Sequence, residues 1–127
     1  DGSLRDYQRK SAQWTIGKNF DATGGFGPWI VTPDELPKGA EGLRIQSRLN
    51  GQVMQDANTR DFLWNVREAL VIITECMTLE PGDVIITGTP AGVGYARNPP
   101  VWMAPGDVCE IEIEGIGILS NTVTQEL

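Results

Sequence analysis

The tripeptide Pro-Gly-Asp occurs twice in the chain, at residues 81–83 and 105–107, and each copy precedes a short apolar run. Proline followed by glycine favours a tight turn, and the runs at residues 84–86 and 108–113 have the composition of strands. Asn-Gly at residues 50–51 is a preferred two-residue turn of a β-hairpin. Together with 15 glycines and 8 prolines in 127 residues, these turns predict a β-rich fold rather than a helical bundle.

The turns separate further predicted elements of a single domain. Residues 61–77 have apolar side chains at spacings of three and four, which predicts one main helix packed on the sheet. The predicted class is therefore α+β, mainly β. The other predicted strands are at residues 29–31, 43–49, 52–55 and 118–123.

The charge and the missing residue types exclude several classes of function. A net charge of −7 argues against a nucleic-acid partner, which requires a basic surface. Because the sequence contains no histidine, it cannot form a Cys/His zinc site or a Ser-His-Asp triad by itself. We expect Cys76 and Cys109 to be reduced, buried thiols in a cytoplasmic protein, although a disulfide stays open. No apolar run is long enough for a signal peptide or a membrane span, so no membrane partner is expected.

Polar residues near the start of the chain have helical spacing. A helix capped by Ser3 would place Asp1, Arg5 and Gln8 on one face, a set suited to a metal and a carboxylate ligand. An exposed helix face with an Asp–Arg pair explains the same spacing. Lys18, between an aromatic residue and a glycine-rich loop, either points into a cavity or is solvated.

Two other stretches have alternative interpretations. Residues 81–94 predict a strand that leads into a loop of threonines and glycines, which is either a cavity wall or a tight corner between strands. The alternating glutamates at positions 110, 112 and 114 look like a metal site, but strict alternation favours a solvated outer face of the sheet.

Taken in order, these segments resemble the fumarylacetoacetate hydrolase family over nearly the whole chain. A departure lies at residues 22–26, where Ala-Thr-Gly-Gly-Phe replaces a commoner Thr-Phe-x-Pro-x. The matching motifs are Asp-x-Ser-x-Arg-Asp-x-Gln (1–8), Gln-Trp-Thr-x-Gly-Lys-x-Phe-Asp (13–21), Gly-Pro-Trp (27–29), Leu-Asn-Gly-x-Val-Met-Gln-Asp-x-Asn-Thr (49–59), Leu-x-Pro-Gly-Asp-Val-Ile-x-Thr-Gly-Thr-Pro-x-Gly-Val-Gly (79–94) and Gly-Asp-Val-x-Glu-x-Glu-Ile-x-Gly-Ile-Gly (106–117).

The resemblance implies a flattened β-roll or barrel and a homodimer. It implies that residues 1–127 are the C-terminal portion of one catalytic domain whose N-terminal part is absent. It also implies Mg²⁺ or Mn²⁺, with Ca²⁺ as a third candidate, held by carboxylates. Asp1 matches one of these metal ligands, and the remaining ligands are expected upstream of it.

The activity that the resemblance implies is metal-dependent hydrolysis of a carbon–carbon bond in an acylpyruvate or 1,3-diketo acid, as in the catabolism of aromatic compounds. Arg5, Gln8 and Lys18 match catalytic and substrate-binding residues, and Thr89 matches a residue that binds the substrate carboxylate. Two alternatives stay open: a decarboxylase or isomerase of oxaloacetate-like or muconate-derived diacids, and a catalytically silent scaffold half.

Overall fold

The computed structural model describes residues 1–125, which form an α+β structure dominated by one antiparallel sheet with the strand order β2-β1-β3-β4. This confirms the predicted class. The sheet is open, so no closed barrel or roll forms within the described residues. The helices and strands are α1 (Arg5–Gln8), β1 (Arg44–Leu49), β2 (Gln52–Asn58), α2 (Val66–Thr74), β3 (Val108–Ile113) and β4 (Gly117–Thr122). Short 3₁₀ turns lie at Trp14–Lys18, Lys38–Ala40, Thr59–Asp61 and Gly94–Ala96.

The predicted hairpin is formed by β1 and β2 around the Asn-Gly turn. Asn50 and Gly51 both have positive φ angles, 51° and 79°, which is the geometry of a type I′ turn. The Asn50 side chain donates to Asp107 Oδ1 at 2.8 Å and accepts from the backbone N–H of Val108 at 2.9 Å. The hairpin turn is therefore joined to the start of β3.

The two Pro-Gly-Asp turns have the same local structure but different continuations. Asp83 Oδ2 accepts from the N–H of Glu80 at 2.8 Å, and Asp107 Oδ2 accepts from the N–H of Ala104 at 2.7 Å. The second turn leads into β3, whose bounds match the prediction. Residues 84–86 form no strand and are exposed, because no neighbouring strand among residues 1–125 bonds to them.

The glutamate row on β3 pairs with an arginine of the neighbouring strand instead of simply facing solvent. Arg48 on β1 contacts Glu112 at 2.6 Å and Glu110 at 3.2 Å, and its own side chain is 16% exposed. The single positive charge of Arg48 therefore offsets part of the charge of the two carboxylates across the sheet, which supports a structural role for the row.

The main helix, α2, differs from its prediction at both ends and in its packing, since it spans Val66–Thr74 instead of residues 61–77. It begins after Asn65, whose side chain and that of Glu68 form a reciprocal capping box. The predicted packing on the sheet is wrong: Leu70 and Met77, which belong to the predicted apolar stripe, are exposed. Cys76 is exposed as well, so the prediction that it is buried is also wrong.

The described residues enclose little apolar core. Leu43, 6% exposed, is the buried hydrophobic residue of this part of the chain, whereas Leu63 is 86% exposed. The predicted strand at 29–31 is absent, and its side chains are largely exposed too. The chain exposes 9806 Å², whereas a folded monomer of its mass exposes about 6,700 Å². About 3,000 Å² of surface thus exceeds what a self-contained domain shows.

Hydrophobic exposure does not coincide with a membrane-spanning element. None of the helices within residues 1–125 is long and apolar enough to cross a bilayer.

Replacing Asn50 is expected to weaken the junction between the hairpin and β3. Asn50→Gly keeps the positive φ but removes both side-chain hydrogen bonds, so the free energy of unfolding should fall by about 1–2 kcal/mol. Asn50→Ala should cost about 1 kcal/mol more, since alanine disfavours this φ. Urea unfolding of the full-length protein measures both values, and equal stabilities for wild type and Asn50→Gly would contradict the assignment.

Acid unfolding gives a second readout of the same junction. The hydrogen bond from Asn50, followed by that from the Ala104 N–H, holds the pKa of Asp107 below its ordinary value. The stabilisation is therefore present above the unfolded pKa of about 3.9 and is lost as the pH falls through the lower folded value. Asn50→Gly should reduce this acid-dependent loss.

Candidate active site

Asp1 and Lys18 form an ion pair at the start of the chain. Lys18 Nζ lies 2.8 Å from Asp1 Oδ2, and both side chains are about one-third exposed, at 35% and 33%. A pair this exposed contributes little to stability. Its significance is that it places an ammonium group and a carboxylate side by side on an accessible surface.

Arg5 and Gln8 lie on the single-turn helix α1 and contact each other. Arg5 Nη1 donates to Gln8 Oε1 at 2.7 Å, and Gln8 is buried, with 5% of its surface exposed. The predicted shared face therefore exists for these two residues. Asp1 lies outside the helix, and Ser3 makes no capping hydrogen bond because Leu4 occupies the N-cap position.

A close backbone contact brings the two parts of this cluster together. The Leu4 N–H donates to the Gly17 carbonyl oxygen at 3.0 Å. A Cβ atom on Gly17 would lie 2.6 Å from Gln8 Cβ and 2.8 Å from Gln8 Cα. Only glycine fits between α1 and the 3₁₀ turn that ends at Lys18, so Gly17 fixes the distance between Lys18 and α1.

The surroundings of Lys18 change its acidity. Burial, followed by the positive charge of Arg5, lowers the pKa of Lys18 below its ordinary value. The direction holds although the Asp1 carboxylate lies beside the ammonium group, so desolvation and Arg5 dominate.

Tyr95 links this cluster to the loop that follows residues 81–94. Its ring lies under two guanidinium groups, with Arg9 at 4.4 Å and Arg5 at 5.3 Å from the ring centroid. Trp102 packs on the same tyrosine at a ring distance of 5.9 Å. The second half of the chain therefore contacts the arginine that the sequence places in the site.

Thr89 is held by β2. Its hydroxyl oxygen accepts a hydrogen bond from Gln55 Nε2 at 2.8 Å. Within residues 1–125, no hydrogen bond joins Thr89 to Asp1, Arg5 or Lys18. The structure thus brings four of the five predicted site residues into one cluster and leaves the fifth on a neighbouring loop. Their predicted roles stay predictions.

Sequence reasoning missed the residues that hold this loop in place. Arg97 donates to the carbonyl oxygens of Gly92, at 3.1 Å, and of Met54. A Cβ atom on Gly92 would lie 2.5 Å from Met54 O. The glycine at position 92 is a signal of such an approach, but no pattern in the sequence indicates which strand it approaches.

The cluster contains one candidate ligand for a metal ion. No group of three or more Cys, Asp or Glu side chains within residues 1–125 could hold a metal. Asp1 has an accessible carboxylate, of which only Oδ2 is paired with Lys18. A hard cation such as Mg²⁺ binds several oxygen ligands, so the described residues fit one part of a shared site and not a complete site.

A concave surface lies elsewhere, along α2. A groove of about 850 Å³ runs along α2 and contacts Lys38 and Phe62, but none of the predicted site residues lines it. The groove is lined by both apolar and charged side chains, among them Val66, Leu70 and Arg67 of α2, and we assign no chemistry to it.

Comparison with known proteins gives consistent matches along the chain. Residues 1–124 match the family described as fumarylacetoacetate (FAA) hydrolase C-terminal. The bovine (Bos taurus) protein named oxaloacetate tautomerase FAHD2A, mitochondrial, is 42% identical over 125 residues. That alignment covers 97% of this chain and 40% of the bovine protein, so the chain spans less than half of this relative.

Two solved structures extend the comparison. Fumarylacetoacetate hydrolase from the psychrophile Exiguobacterium antarcticum is 43% identical with a TM-score of 0.92, and the match covers 98% of this chain and 44% of that one. Maleylpyruvate hydrolase from Sphingobium sp. SYK-6, in complex with manganese(II) and pyruvate, is 37% identical with a TM-score of 0.70, covering 80% and 35%. The fold of the described residues is thus shared with enzymes.

Substituting Gly17 should disrupt the cluster. Gly17→Ala would push Lys18 away from α1, so we expect catalytic efficiency of the full-length protein to fall at least tenfold. Gly24→Ala is the matched control, because a Cβ atom there would meet nothing within 4 Å. Steady-state kinetics with a circular-dichroism check of folding measures both, and an unaffected Gly17→Ala enzyme would show that the close contact is dispensable.

Proposed function

The chain belongs to the fumarylacetoacetate hydrolase family, and on that premise we propose that the protein is a metal-dependent enzyme that interconverts the keto and enol forms of a small 2-oxo dicarboxylic acid. Oxaloacetate is the first candidate substrate. The sequence predicts a carbon–carbon hydrolase first. The bovine relative named oxaloacetate tautomerase supports the tautomerase over that activity.

The observation that carries the proposal is the cluster of donors around Asp1. An ammonium group, a guanidinium group and a buried amide lie together at Lys18, Arg5 and Gln8. Tautomerisation of a 2-oxo acid passes through an enolate, whose oxygen gains negative charge. Positively charged donors that are already in place stabilise such an oxyanion without reorganising.

Each residue has a distinct part in this proposal. Arg5 binds a carboxylate of the substrate, since a guanidinium matches carboxylate geometry, and Gln8 fixes Arg5 through their hydrogen bond. Lys18 Nζ donates a hydrogen bond to the enolate oxygen, and the proton that leaves or joins the carbon beside the 2-oxo group is exchanged with water. Thr89 binds the second carboxylate from the adjacent loop. A Mg²⁺ or Mn²⁺ ion, with Asp1 as one ligand, would supply Lewis-acid polarisation of the 2-oxo group.

Carbon–carbon bond hydrolysis is the second candidate. It shares the enolate as leaving group but also needs an activated water. The maleylpyruvate hydrolase structure, which contains manganese(II) and pyruvate, favours hydrolysis as the reaction of these residues. Decarboxylation of oxaloacetate shares the enolate as well.

The same proposal includes the domain organisation, the oligomeric state, the location and the metabolic role of the protein. The exposed apolar surface and the partial coverage of the relatives support a chain that forms the C-terminal portion of one catalytic domain. A homodimer, a cytoplasmic location and a role in aromatic catabolism stay predictions.

Three assays on the full-length protein with Mg²⁺ or Mn²⁺ distinguish the reactions. Ketonisation of enol-oxaloacetate is followed by its ultraviolet absorbance, decarboxylation by carbon dioxide release, and hydrolysis by acid products from an acylpyruvate. Faster ketonisation without carbon dioxide supports the tautomerase. Acyl cleavage without accelerated ketonisation would replace it with the hydrolase.

Removing the ammonium group should slow the reaction strongly. Lys18→Met should lower kcat/KM by about 10²–10³-fold, the usual cost of losing one oxyanion donor. Lys10→Met makes the same change of charge nearby, where the Lys10 ammonium lies 3.6 Å from the centre of the Tyr7 ring, and should change kcat/KM less than threefold. If both substitutions have the same effect, the role of Lys18 is only a general charge effect.

Metal binding should depend on Asp1. Calorimetric titration of the full-length protein with Mn²⁺ is expected to show saturable binding that weakens at least tenfold in Asp1→Ala. Asp6→Ala, which removes an exposed carboxylate from α1, is the control. Unchanged binding in Asp1→Ala would remove Asp1 from the metal site.

A further inference from the structure

A β-bulge in β2 points the carbonyl group of Met54 and the side chain of Gln55 at the loop that contains Thr89. Ser47 pairs with Gln55 and Arg48 pairs with Val53, so the register shifts and Met54 has no partner on β1. Bulges re-aim the groups of a strand away from its regular ladder. Here the Met54 carbonyl oxygen meets Gly92 and Arg97, and the Gln55 side chain meets Thr89 and Pro90.

The orientation of the Gln55 amide follows from its partners. Ser47 Oγ donates to Gln55 Oε1 at 2.8 Å, and Ser47 is 8% exposed. The Pro90 carbonyl is an acceptor only, so the group 2.8 Å from it is the amide nitrogen. The second hydrogen of that nitrogen then points to Thr89 Oγ1, also at 2.8 Å.

This hydrogen bond decides what Thr89 offers to a ligand. A hydroxyl group has one hydrogen and accepts through its oxygen lone pairs. Because Thr89 Oγ1 accepts from Gln55, its own hydrogen stays available, and no acceptor within residues 1–125 takes it. The exposed Thr89 hydroxyl therefore faces outward as a donor.

We propose that Gln55 is a positioning residue that sets Thr89 as a hydrogen-bond donor to an anionic group of the substrate, and that the bulge at Met54 holds the loop for this purpose. The proposal rests on the proposed function for the identity of the anion, a carboxylate of the 2-oxo acid. Gln55 itself does not touch the substrate.

The kinetic test uses the full-length protein with whichever 2-oxo acid it converts. Gln55→Met should raise KM about tenfold and change kcat less than threefold, since a ground-state carboxylate contact is lost. Gln55→Glu, nearly identical in shape, should raise KM further, because its carboxylate accepts the hydrogen bond of the Thr89 hydroxyl and repels the anion. Gln52→Met, an exposed glutamine on the same strand, should have wild-type constants.

A double substitution separates positioning from a general effect on folding. If Gln55 acts through Thr89, Gln55→Met combined with Thr89→Val should have the same KM as Thr89→Val alone. Additive increases in KM, or a KM in Gln55→Met equal to that of Gln52→Met, would overturn the proposal.

Hydrogen exchange tests the same inference without turnover. The backbone amides of Ala96, Arg97 and Val101, which donate to carbonyl oxygens of Val93 and Gly94 at the end of this loop, should exchange at least fivefold faster in Gln55→Met than in wild type or Gln52→Met. Unchanged exchange would overturn the positioning role even in an active enzyme. If wild type converts none of the 2-oxo acids, the proposed function fails, and faster exchange still supports the positioning of the loop.

Discussion

The candidate site depends on a contact in which a glycine touches the backbone of a helix. Gly17 lies so close to Gln8 that no larger residue fits between α1 and the following 3₁₀ turn. This contact decides where Lys18 is, and Lys18 in turn pairs with Asp1. A charged cluster on a loop-rich surface would otherwise be mobile. Here the hydrogen bond from Leu4 to Gly17 and the buried Gln8 give it a fixed frame.

The loop that contains Thr89 is also held by a close contact of a glycine, here Gly92. Gly92 touches the Met54 carbonyl where a bulge exposes it, and Gln55 and Arg97 add hydrogen bonds on either side. Both anchors therefore join backbone to backbone through a glycine. Since neither uses an apolar core, this part of the chain keeps an ordered polar surface although it buries few hydrophobic side chains.

Local signals in the sequence predicted the elements that local forces determine. Asn50-Gly51 and the two Pro-Gly-Asp turns form as expected, and β3 has the predicted bounds, because turn chemistry and alternation act within a few residues. The predictions of a strand at 84–86 and of α2 packing on the sheet are wrong. Both structures need partner groups that are distant in sequence, which local patterns do not reveal. In the site, helical spacing indicated the Arg5–Gln8 contact, whereas the role of Gln55 depends on a bulge that periodicity does not reveal.

The guanidinium groups stacked on Tyr95 belong to a locally basic stretch, which has a consequence for how an anion approaches the cluster. Four of the ten basic residues but only two of the seventeen acidic residues lie within residues 1–18, which gives +2 locally against −9 for the rest of the chain. The charges of residues 1–127 therefore repel an anion at long range and attract it only near the cluster. At physiological ionic strength, charges are screened over about 8 Å, so salt removes the distant repulsion before it weakens the close attraction. Association of a small anion with this cluster should accordingly tolerate salt better than attraction to a uniformly basic surface does.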